Sequence, residues 1–335
     1  TLRLRTRKDR AKPDYVRIFK ETAGTGTGNQ AGAEFGAPAI PDQIGQRRRL
    51  PLRTMSKFIP LAICAGLLSA LLYVSIVTGR QEAFFLTFFT QLPLFLVGLG
   101  IGYPAIKIAA AAGAGAVFML GGLYYGLAFL LLNAAPSVLL VRQALLKRTN
   151  DEDRVEWYPL GHLIGWVAVI AIFMFLALFA ALAGSGHDME ATVSRFLSET
   201  LAVFSQSAGP EATKALEWIA PFFLAFIVGS WLLLLVLNGA MAQGLLARFQ
   251  RNIRPSPDFA KMALPGWLTY AIAGATLVFF VAKPGILEFF SHNLVLILCI
   301  PFFLLGLAVV HTFAKTAPKP SWILVPFYSL LILFG

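Results

Sequence analysis

The side chains in this sequence that could do chemistry are a few polar groups set inside long apolar runs. They are Gln91, Lys107, Asn133, Asn238, Gln243 and His311, joined by Tyr103, Tyr124 and Tyr125. A polar group in hydrocarbon is costly unless it finds a partner, so each is a candidate for holding a ligand or for bonding stranded backbone. Gln91, Tyr103, Tyr124, Tyr125, Asn133, Asn238 and His311 form the candidate ligand-binding set. Each also has a plainer reading. Lys107 can snorkel to the membrane surface. Asn133 can bond the backbone that Pro136 frees, and Gln91 stands in the same relation to Pro93. Asn238 and Gln243 can close the last turns of a helix, His311 can sit at an interface, and the tyrosines fit an aromatic belt at span ends.

No two of these groups pair by spacing into an acid and a base or a nucleophile and a base. HExxH, GxSxG, a Walker loop and an intramembrane Asp/Glu pair are all missing from the sequence. Gly113 and Gly115 follow no strand and precede no Lys-Ser/Thr, so they suit helix packing and not a phosphate loop. Cys64 and Cys299 lie in apolar runs, and the four histidines are scattered, which leaves no disulfide framework and no metal cluster. The expectation is a protein that is not an enzyme, with no cofactor and no metal.

The elements that must position these groups are membrane helices. The chain has 335 residues, 57% hydrophobic and only 13% charged, with a mean hydropathy of +0.71. Soluble domains carry about 25% charged residues. Apolar runs at about 58–77, 84–102, 105–120, 123–141, 162–183, 219–241, 265–281 and 293–313 approach the length that crosses a bilayer. A further run begins at Trp322 and reaches Gly335 short of a full crossing, so the expectation is a last span that is truncated there. The fold expected is all-α, a polytopic transmembrane bundle of about eight or nine spans.

Residues 1–56 differ in composition: basic, then Gly/Ala/Thr-rich, then basic again. Disorder is the expectation for such a tail, with 57–335 as the transmembrane domain. Met55-Ser56-Lys57 resembles a natural start, so residues 1–54 read equally well as a native polybasic arm or as translated upstream sequence.

Gly121-Gly122 decides the topology. If the chain turns there, the basic loops at 142–160, 244–264 and 314–320 share a side with the N-terminus, and the acidic loop 184–217 lies opposite. If 105–141 is one tilted helix, the later loops change sides. The positive-inside rule favours the turn, with a cytoplasmic N-terminus. The net charge of +11 then speaks of orientation in a bilayer and not of nucleic acid.

Small residues mark the contacts. Ala62, Gly66 and Ala70 recur every fourth position and make one smooth helix face, and Gly113, Gly121 and Gly122 suit close packing in the hairpin that follows. LPLFLVGLGIGYPAIKIAAAAG at 92–113, Asn-Ala-Ala-Pro at 133–136 and FFLLGLAVVH at 302–311 resemble the YybS-like bacterial integral membrane proteins, a group of unknown function. That group is in turn similar to the substrate-binding S-components of energy-coupling-factor (ECF) vitamin transporters. The resemblance implies a bacterial inner-membrane protein that binds or takes up a small molecule. It also implies that the Ala62–Gly66–Ala70 face meets a membrane coupling subunit. S-components usually have six spans, fewer than expected here. The competing expectation is a non-transporting scaffold or assembly factor that uses the basic loops and the amphipathic 184–217 segment.

Overall fold

The computed structural model describes residues 52–75, 85–149, 153–183, 192, 193, 195 and 219–334. The chain divides into Thr1–Arg49, outside the described residues, and Leu50–Gly335. The expected tail to residue 51 and nearly all of the acidic 184–217 loop also lie outside them.

Among the described residues, the helices are α1 (Leu52–Val74), α2 (Leu92–Ile101), α3 (Tyr103–Phe129), α4 (Ala135–Ala144), α5 (Leu160–Ala183), α6 (Phe223–Arg248), α7 (Gly266–Val281), α8 (Ile286–Ala314) and α9 (Ser321–Phe334). The fold is an all-α, membrane-like bundle. Helix α1 begins ahead of the expected span start and takes in Met55. The loop after α4, read from sequence as merely polar, folds into a short antiparallel hairpin of β1 (Lys147–Thr149) and β2 (Val155–Trp157). An Arg148–Glu156 ion pair of 2.7 Å closes it.

Apart from its charged end, the exterior does not suit water. Met119, Tyr270, Phe280 and Trp322 are all more than three-quarters exposed, in company with many other exposed large apolar residues. Soluble monomers rarely present such continuous apolar surface. Tyr103–Ala144, Leu160–Leu182, Ala220–Arg248 and Ile286–Ala314 are long and apolar enough to cross a membrane, and shorter apolar helices accompany them.

The first of those stretches is a hairpin. Gly122 sits at φ 83°, ψ −176° inside α3, a conformation that is essentially glycine's alone. Beyond it the chain doubles back. A Cβ built on Gly126 falls 3.1 Å from Phe118 Cα, and one built on Gly113 falls 3.0 Å from Phe129 Cζ. In a straight helix, residues eight apart stand about 12 Å from each other. The turn expected at Gly121-Gly122 is therefore present. It leaves two antiparallel arms, each roughly 30 Å long, close to the hydrocarbon thickness.

Helix α1 lies along the first arm. Ala62 and Ala70 are buried, and a methyl group on Gly66 would collide with the Ala109 carbonyl. The small-residue face is thus covered by α3 of the same chain, and Gly113 meets Gly66 across the seam. The main core gathers Phe129, Phe175, Leu232, Leu235 and Ile297 from the hairpin, α5, α6 and α8. A smaller cluster of Ala168, Leu268, Ala275 and Leu298 seats α7 on α5 and α8.

One end of the bundle collects the basic groups. Ile253 N–H donates to Leu99 O at 3.1 Å and Tyr158 N–H to Leu146 O at 3.0 Å. These bonds bring together the end of α2, the end of α4, the start of α5 and the segment after α6. Arg142, Lys147, Arg148, Arg154, Arg248, Arg251, Arg254 and Lys261 lie in or beside these segments, with Asp153, Glu156 and Asp258 as the described acids among them.

The hairpin makes a specific prediction. With Cys64 and Cys299 replaced by alanine, a Phe118→Cys/Gly126→Cys pair will oxidise to an internal disulfide, read as loss of two alkylatable thiols by mass. Persistence of both thiols under oxidant would mean that the arms are one rod.

Candidate functional site

Two polar arrangements occupy the bundle, and they lie in different places. The first is built on Pro136. Leu130–Ala134 forms a π-turn between the second arm of α3 and α4, and Pro136 has no N–H to offer Leu132 O four residues earlier. That carbonyl accepts from Gln91 Nε2 at 3.3 Å and from Trp231 Nε1 at 3.0 Å. The sequence assigned this repair to Asn133, and assigned Gln91 to Pro93. In the fold Gln91 serves the Pro136 break from another helix, while the Asn133 carbonyl accepts from Ser137 Oγ at 2.7 Å. Asn238, buried on α6, donates Nδ2 to Phe88 O and to Leu234 O, both at 2.8 Å. It does not close the last turn as expected, because α6 runs on to Arg248; it bonds back within its own helix and also to a neighbouring segment. With their nitrogens so engaged, Gln91 Oε1 and Asn238 Oδ1 are buried with no donor among the described residues.

A related repair opens α6. Asn293 on α8 accepts from Ala225 N–H at 2.8 Å and donates to Pro221 O at 2.7 Å. Its amide sits where the first helical bond of α6 would otherwise run. The sequence placed Asn293 only as the beginning of a span, and nothing in its local pattern announces the role.

The second arrangement is a partly open cavity of about 480 Å³ lined by α2, α4, α5, α6, α8 and the segment 256–262. Its wall is apolar, with Phe95, Leu99, Val141, Leu163, Leu235 and Leu304 among the lining. Its polar groups are Gln243, Arg254, Ser256 and His311, three of them on or beside the basic segments, and among the described residues no carboxylate lines it. Helix α6 contributes Gly239 and Gly244, whose missing side chains leave the space open. A larger hollow of about 800 Å³ between α1, α2 and α6 is lined almost wholly by apolar groups, with Arg251 its one charge. Leu61, Leu68 and Phe249 on that hollow are exposed. It has the character of outer surface against lipid tails.

Among the described residues, Arg254 is the one charged residue with a buried side chain, at 6% exposure. It donates from Nη1 to Ala144 O at 3.1 Å and from Nη2 to Tyr158 O at 2.8 Å, tying the last turn of α4 to the approach to α5. Its own carbonyl accepts from Gln243 Nε2 at 2.8 Å and Asn252 Nδ2 at 2.7 Å, which fixes the backbone beneath it. Burial lowers its pKa from the ordinary guanidinium value, yet arginine stays charged at physiological pH. From sequence it was one basic residue of a loop; no spacing signal distinguished it from Arg248 or Arg251.

The candidate residues do not converge. Gln91, Asn133 and Asn238 belong to the segments around the Pro136 break. Tyr124 and Tyr125 pack edge to face at 5.5 Å on the hairpin tip, Tyr124 at 78% exposure. Tyr103 lies under Lys107 Nζ at 5.1 Å, beside the Gly102 link. Of the seven, His311 lines the cavity. Its Nδ1 approaches Leu307 O at 2.8 Å, which requires a proton on that nitrogen, and its Nε2 stands 3.4 Å from Tyr328 Oη.

The Leu132 carbonyl can be tested as a shared acceptor. Gln91→Leu and Trp231→Phe each remove one donor and leave the other. Each alone will cost a few tenths to about 1 kcal/mol, and together more than their sum, since only the pair strands the carbonyl. Strictly additive losses in thermal unfolding would show that the two donors do not share it.

A family model described as a predicted membrane protein (DUF2232) matches residues 62–335, and the chain belongs to that family. No curated protein and no solved structure matches it.

Proposed function

We propose that this DUF2232 membrane protein is a transporter-like binding component that holds a small molecule in the cavity between α2, α4, α5, α6 and α8. One observation carries the reading: five helices leave an apolar hollow of about 480 Å³ with its polar groups gathered near the basic segments. Binding sites are typically concave, mostly apolar and furnished with a few convergent polar groups, at about 300–1,000 Å³. A break such as the Pro136 π-turn is tolerated at bilayer depth where protein or a cavity surrounds it, and substrate sites of transporters use such breaks.

The positive-inside rule supports reading that basic end as cytoplasmic, which would put the start of α1 inside and suit a bacterial inner membrane. The likeness to YybS-like proteins and to ECF S-components supports uptake with a coupling partner. Such a partner would have to meet a surface other than the Ala62–Gly66–Ala70 face, which α3 occupies.

The test is a thermal-stability panel of vitamins and metabolites on protein in nanodiscs, run beside Gly239→Leu. A Cβ at Gly239 meets only the Phe95 ring, at 3.7–3.9 Å, so the larger side chain fills the hollow without breaking the helix contact. At least one compound will raise the wild-type melting temperature, and Gly239→Leu will lose most of that shift. A panel with no effect, or shifts that Gly239→Leu leaves intact, would overturn the reading. Purification with scaffold or envelope partners alone would favour the assembly-factor alternative.

A further inference from the structure

We infer that the ligand of this cavity is an anionic amphiphile, a single hydrocarbon tail bearing one carboxylate or phosphate head, with the head at Arg254. The inference rests on the binding reading above and specifies its chemistry.

The tail follows from the walls. Phe95, Leu99, Val141, Leu163, Leu235 and Leu304 offer no hydrogen bond to a polar body. A sugar or nucleotide buried among them would lose its hydration without replacement. A hydrocarbon loses nothing and gains contact.

The head follows from charge. Arg254 is a buried cation, and among the described residues no carboxylate stands within ion-pair distance of it. Its compensation comes from two carbonyls, one of them at the end of α4. A helix C-terminus supplies about half of an elementary negative charge, so the site keeps a positive remainder. Two of the five guanidinium N–H donors meet those carbonyls, which leaves donors for a carboxylate or phosphate oxygen. A zwitterion or an amine would find no acidic group in the lining to meet its cationic part.

The position is also held in place. Gln243 and Asn252 fix the Arg254 backbone through its carbonyl. A guanidinium so fixed at the edge of an apolar hollow does not have to be ordered when the ligand arrives.

The test uses the full chain in neutral phosphatidylcholine nanodiscs and four matched probes. Myristate and myristoyl lysophosphatidic acid carry the two anionic heads; monomyristoylglycerol is the neutral control and myristoyl lysophosphatidylcholine the zwitterionic one. Inorganic phosphate and acetate report the head without a tail. Affinity is read by thermal shift and by native mass spectrometry. One or both anionic amphiphiles will bind about tenfold or more tightly than the neutral one, the size of a charge-assisted contact. Which of the two leads identifies the head. Arg254→Gln will collapse that ratio to within about threefold while tail binding persists, and Gly239→Leu will weaken every amphiphile. Because Arg254 also braces two carbonyls, Arg254→Lys is run in parallel: it keeps the charge, loses the fork and will retain part of the preference.

Equal affinity for charged and neutral amphiphiles, both lost in Gly239→Leu, would overturn the charge inference and leave the cavity reading standing. So would a preference that survives Arg254→Gln, or a metabolite that fills the cavity where no amphiphile binds. Absence of any ligand, amphiphile or metabolite, would remove both.

Discussion

A carbonyl stranded inside hydrocarbon has no water to turn to, and this bundle meets that constraint with side chains borrowed from other helices. Gln91 and Trp231 reach Leu132 O across from α2 and α6. Asn293 reaches from α8 into the first turn of α6. Arg254 closes the end of α4 from a segment that follows α6. Each of these bonds joins elements far apart in sequence. In a medium where apolar contact alone gives helices little reason to prefer one neighbour over another, such bonds select the arrangement.

The second constraint is closeness. Helix α1 approaches α3 until Gly66 meets the Ala109 carbonyl, and Gly113 faces the same seam. That contact consumes the one small-residue face that looked available for a partner. The opposite occurs on α6, where Gly239 and Gly244 meet little or nothing and the helix keeps its distance. Glycine therefore serves two opposite ends in one bundle. At the α1 seam it removes space, and at the cavity it leaves it.

The sequence was most legible where a single local rule applied. Hydropathy marked the apolar helices, and the sign of the loops located the reversal at Gly121-Gly122, because only that turn gathers the basic segments. Small-residue spacing marked packing faces but not what they pack against. Asn133 was credited with a repair that Gln91 makes, since proline announces a broken bond and not the helix that will supply the donor. Arg254 was illegible for a similar reason: its neighbours in sequence are equally basic, and only the fold buries it. The β-hairpin at 147–157 was missed because Lys-Arg-Thr and Val-Glu-Trp are too short to show an alternating pattern. The cavity is the least local feature, drawn from five helices whose adjacency no stretch of sequence records.

The tip of the hairpin has a bearing on how the protein is made. Met119, Leu120, Leu123 and Tyr124 surround Gly122, all strongly exposed, and no charged residue lies between Lys107 and Arg142. Whichever way the chain faces, that turn carries no ion through the hydrocarbon as it is threaded across during synthesis. The two arms can leave the insertion machinery already paired, as one object, before the polar segments downstream commit the later helices to their sides.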